Sequence, residues 1–159
     1  MYSQKVIMIA KLKALFSAEA KTASPEEKQK QLQQACAGLF FEVIRADFEQ
    51  SPEEISKVKE ILHQQFSLAN EDLQELVDES KSSAKENIAL HPLTSLINDN
   101  YDYEERVELI SLMWEIAYAD GNLDKYEDGV IRKVADLLYV RHSDFIKTKL
   151  AHAEAGNAS

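Results

Sequence analysis

Cysteine, glycine and proline are all scarce in this chain of 159 residues. The single cysteine, Cys36, can close no internal disulfide and has no Cys-x-x-Cys companion, so no structural zinc site or redox pair is encoded. Flanked by Ala35 and Ala37, it reads as a small buried hydrophobe. Four glycines and three prolines are too few for a turn-rich β fold, and no segment alternates apolar and polar residues as a strand would. No apolar run approaches the roughly 20 residues that cross a bilayer. Val6–Ala10 looks briefly like a signal core, but Lys11 and Lys13 interrupt it. Positive charge is short too: 18 basic against 28 acidic side chains leave −10, which excludes a general nucleic-acid binder and favours divalent metals or basic protein surfaces as partners. Gly-rich phosphate loops, nucleophile elbows and recognisable Ser/His/Asp sets are missing as well. A soluble, cytoplasmic protein is the expectation.

What is present is helical. The apolar content is 45%, spaced in threes and fours. Residues 1–22 read as an amphipathic helix with Met8, Leu12 and Leu15 on one face. Lys5, Lys11 and Lys13 lie around the others; the stretch reads as a packing helix, with the inner face of an anionic membrane as the alternative resting place. Ser24-Pro-Glu-Glu27 opens a helix through Leu32, Ala35, Leu39, Phe40 and Val43 to Asp47, and Ser51-Pro-Glu-Glu54 opens another carrying Ile55, Val58, Ile61, Leu62 and Phe66. Asn70 caps a third, holding Leu73, Leu76 and Val77. A polar tract, residues 78–86, connects to the second half, where Pro92 breaks any helix near His91. Asp102-Tyr-Glu-Glu105 and Asp124-Lys-Tyr-Glu127 start two more helices, and a last helix follows Ser143 before a frayed tail, 154–159. The expected class is all-α, one domain over 24–153 with halves at about 24–78 and 100–152.

Those halves repeat each other. Leu39–Glu54 registers on Leu112–Glu127 without a gap, 73 positions apart, so that Glu42 falls on Glu115, Asp47 on Asp120, Ser51 on Asp124 and Glu54 on Glu127. After a one-residue slip, Leu68–Leu73 matches Val140–Phe145. Such duplication predicts a pseudo-two-fold molecule presenting the same acidic turn twice. In each turn an Asp ends one helix and a Glu lies in the first turn of the next, and a short loop can bring the two carboxylates together. Carboxylates and loop carbonyls without Cys or His suit Ca²⁺ or Mg²⁺.

Ser51-x-x-Glu54 and Asp124-x-x-Glu127 are equally good capping boxes. Capping does not account for Asp47 and Asp120, which meet the negative end of a helix dipole. Asp120-Gly-Asn-Leu-Asp124 imitates the start of an EF-hand, but Lys125 stands where its glycine is required and Ile131 where its bidentate glutamate is. Glu60-Ile-Leu-His63 is one Glu-x-x-His where a di-iron bundle needs two, since Lys133 and Asp136 occupy the matching places. His91, His142 and His152 have no acids at ligand spacing.

The run Glu105–Glu127, with Ile131–Leu138 after it, resembles the TerB-like family of tellurite-resistance proteins. The resemblance covers roughly residues 24–150, and Ala-Asp-Gly-x-Leu-x-x-x-Glu is its most specific element. Leu39–Glu54 resembles the family's first copy of that turn, with Phe48 where glycine is usual. It implies a multihelical fold of two pseudo-symmetric repeats around central antiparallel helices. It also implies a divalent-metal site at Asp47 and Glu54 and at Asp120 and Glu127, with Glu42, Glu115 and Asp124 as ligands or supporting groups. A non-enzymatic cation-binding or adaptor module linked to chemical, tellurite-type stress, with protein partners and no organic cofactor, is the function so implied. The alternatives are a metal-dependent enzyme with a binuclear carboxylate centre and a helical interaction scaffold without metal.

Overall fold

The computed structural model describes residues 24–46, 52–68, 71–75, 90–121 and 123–157, and they form helices joined by short turns, with no strand among the described residues. In chain order these are α1 (Pro25–Ala46), α2 (Pro52–Phe66), α3 (Leu90–Asn100), α4 (Tyr103–Ala117), α5 (Lys125–Leu137) and α6 (His142–Asn157), and residues 71–75 are helical as well. The all-α expectation holds. The stretch 1–22, Asp47, Phe48, Ser51, Asn70 and the connection 78–86 lie outside the described residues.

Local sequence explains the starts. Ser24 Oγ accepts the Glu27 N–H at 3.2 Å, and Pro25 follows at the first helical position, where an N–H would be left over in any case. Asp102 and Glu105 form a reciprocal capping box at α4, as Asp124 and Glu127 do at α5. Two expectations need correcting. Pro92 does not break a helix: α3 begins at Leu90, and in its first turn the missing N–H removes no intrahelical bond. At the other end, α6 continues to Asn157, beyond the tail expected from residue 154.

The core sits around α1 and α4. From Ala35 to Phe41 every residue of α1 is buried, and α4 is buried at Leu109, Ile110, Leu112, Met113, Trp114, Ile116 and Ala117. Helices apolar on nearly every side belong inside a bundle. Accordingly α1 packs on α2, α3, α4 and α5, and α4 also meets α2, α5 and α6. Trp114, Phe40 and Phe145 are the largest fully buried side chains, each worth about 1.5–3 kcal/mol in transfer from water. Trp114 and Phe145 join α4 to α6 with ring centroids 5.2 Å apart. Helices α1 and α3 approach closely at Gly38, where a Cβ would stand 3.2 Å from Leu93 Cδ1.

Helix ends are tied across the bundle by amide side chains. Gln33 Nε2 donates to the Phe66 carbonyl at the end of α2 (2.7 Å), and Asn98 Nδ2 donates to the Leu137 carbonyl at the end of α5 (2.9 Å). Each takes up a carbonyl that has no partner within its own helix. Beyond those ends, Ser67 and Tyr139 both adopt left-handed backbone, with φ of 54° and 56°.

Candidate functional site: the acidic turns

The second turn is built from the end of α4. The Tyr118 N–H returns to Trp114, that of Ala119 to Ile116 (3.1 Å) and that of Gly121 to Tyr118 (2.9 Å). Gly121 then reverses the chain with φ +86°, a conformation glycine adopts without the strain a Cβ brings. Leu123 packs back on the core and Asp124 begins α5. Asp124 Oδ1 accepts the Tyr126 N–H at 2.7 Å, while Glu127 Oε1 accepts the Asp124 N–H at 3.2 Å. Two of the candidate ligands are therefore engaged with backbone N–H groups. Asp120 lies half-buried in the turn above them.

In the first half, Glu54 occupies the first turn of α2 and is completely buried, as is Glu127 in α5. Both carboxylates stand on the apolar stripe of their helix: Glu54 precedes Val58 by four residues, and Glu127 precedes Ile131 by four. Asp47 lies outside the described residues.

Glu42 and Glu115 are held differently despite their matched positions. Glu42 pairs with Arg45 one turn along its own helix. Burial pushes its carboxyl above the usual range, and the arginine only partly opposes this. Glu115 faces Lys57 of α2 at 3.7 Å, and the same ammonium lies 3.2 Å from Glu60. Lys57 thus links α2 to α4 beside a groove of about 410 Å³, lined by Pro52, Glu53, Ser56, Lys57, Glu60 and Ala119. The start of α2 and the second acidic turn share that groove. Even so, among the described residues no three carboxylates, imidazoles or thiols come together in a way that could hold a metal ion.

The family model for tellurite resistance protein TerB matches residues 33–150. The chain belongs to the TerB family. Searches of curated proteins and of solved structures found no match to this TerB-family chain.

The structure also brings together residues that sequence spacing left apart. Glu60 and His63 line a second cavity of about 360 Å³ with Lys59, Leu73 and Gln74. There His63 Nδ1 meets the Leu68 carbonyl at 3.1 Å, and Lys59 Nζ donates to Gln74 Oε1 at 3.1 Å. Ser111 Oγ and His152 Nε2 are 2.9 Å apart, linking α4 to α6. Forty-one positions separate that serine from that histidine, and no local motif marks either.

Proposed function

We propose that this TerB-family chain is a non-enzymatic adaptor in the response to chemical, tellurite-type stress, a helical body that offers its surfaces to protein partners. The observation that carries the reading is the engagement of Asp124 and Glu127 as a reciprocal capping box. Their oxygens take N–H groups at the head of α5, the task such a pair performs in helices that bind nothing. The ion pairs of Glu42 with Arg45 and of Glu115 with Lys57 support the same view, because the chain's own cations lie against those carboxylates. A net charge of −10 keeps nucleic acid off the list of partners. No helix among the described residues is long and apolar enough to cross a membrane. The reading keeps the chain in the cytoplasm, with residues 1–20 as the stretch to test for contact with the membrane's inner face.

A second reading is favoured by one observation, the complete burial of Glu54 and Glu127 at the same place in two helices. A carboxylate taken wholly out of water depends on positive charge or N–H groups directed at it, and a divalent cation is one source. Ca²⁺ or Mg²⁺ would suit ligands that are all oxygen.

Thermal melts of metal-stripped protein, with and without Ca²⁺, Mg²⁺, Mn²⁺ or Zn²⁺, separate the two. The adaptor reading expects no cation-specific stabilisation. A rise of about 2.7 kcal/mol at a hundredfold excess over Kd, lost in Glu127→Gln, would replace it with the cation reading.

A further inference from the structure

We draw no further inference here: the strongest candidate, the groove between the start of α2 and the second acidic turn, has Glu60 and Glu115 already set against Lys57, and nothing in the structure shows what covers it.

Discussion

One methyl group added at three glycines should give three different results, and the structure fixes each sign. At Gly129, inside α5, a Cβ meets nothing within 4 Å, so alanine gains only its better helix propensity, roughly 0.5–1 kcal/mol. At Gly121 a Cβ again meets nothing, but φ is +86°, and alanine should lose about 1 kcal/mol to backbone strain. At Gly38 the helix gain is the same as at Gly129, yet the new Cβ would lie 3.2 Å from Leu93 Cδ1, and Leu93 is only 1% exposed. Overpacking of that kind costs about 1–3 kcal/mol, so the net effect is a loss of up to roughly 2 kcal/mol. In a domain of this length 1 kcal/mol moves the melting temperature by roughly 2–4 °C. Thermal melts should therefore rank Gly129→Ala above wild type and both others below it. Gly121→Asn should fall between wild type and Gly121→Ala, because asparagine tolerates the left-handed region. Equal stability of Gly121→Ala and Gly129→Ala would refute the strain argument.

Asp124→Ala removes the cap of α5 and should cost about 1 kcal/mol in urea melts followed by circular dichroism. Burial pushes the Cys36 thiol up to about 12 from an ordinary 9.0, against the opposing bond from Tyr101, so a thiol reagent at pH 8 should label it only as fast as the chain opens. The same shift makes the fold sensitive to alkali. With the folded value above the unfolded one, stability is complete below about pH 9 and falls towards pH 12 as unfolded chains ionise, by up to roughly 1.4 kcal/mol per pH unit. Tyr101, raised chiefly by burial and also by Cys36, adds to the loss above pH 10. Urea melts at pH 8 and about pH 11 should show a drop that Cys36→Ala reduces.

Features written within four residues were legible in the sequence, and those written across the bundle were not. Both capping boxes lie in Asp-x-x-Glu, a local pattern with a local result. The stripe Val58, Ile61, Leu62 predicts which face of α2 turns inward, and it carries Glu54 with it; Ile131 and Val134 do the same for Glu127. The buried glutamates could thus have been read as acids on an apolar face. Helix α3 is hidden in the sequence by Pro92, which reads as a breaker although a proline in a first turn gives up no bond. Lys57 against Glu115, Tyr103 against Asp144 and Ser111 against His152 join residues 41 or more positions apart, and only packing reveals them.

The central place of α1 has a consequence for the newly made chain. Its wholly apolar stretch, Ala35–Phe41, is completed only when α3, α4 and α5 have wrapped it, and α5 ends at Leu137, 96 residues after Phe41. At roughly 5–20 residues per second, the ribosome holds that stretch without its final neighbours for about 5–19 s. For that interval the helix is a binding surface for any chaperone near the exit tunnel. The scarcity of β-branched residues in Ala35–Phe41 gives it little tendency to pair as a strand while it waits.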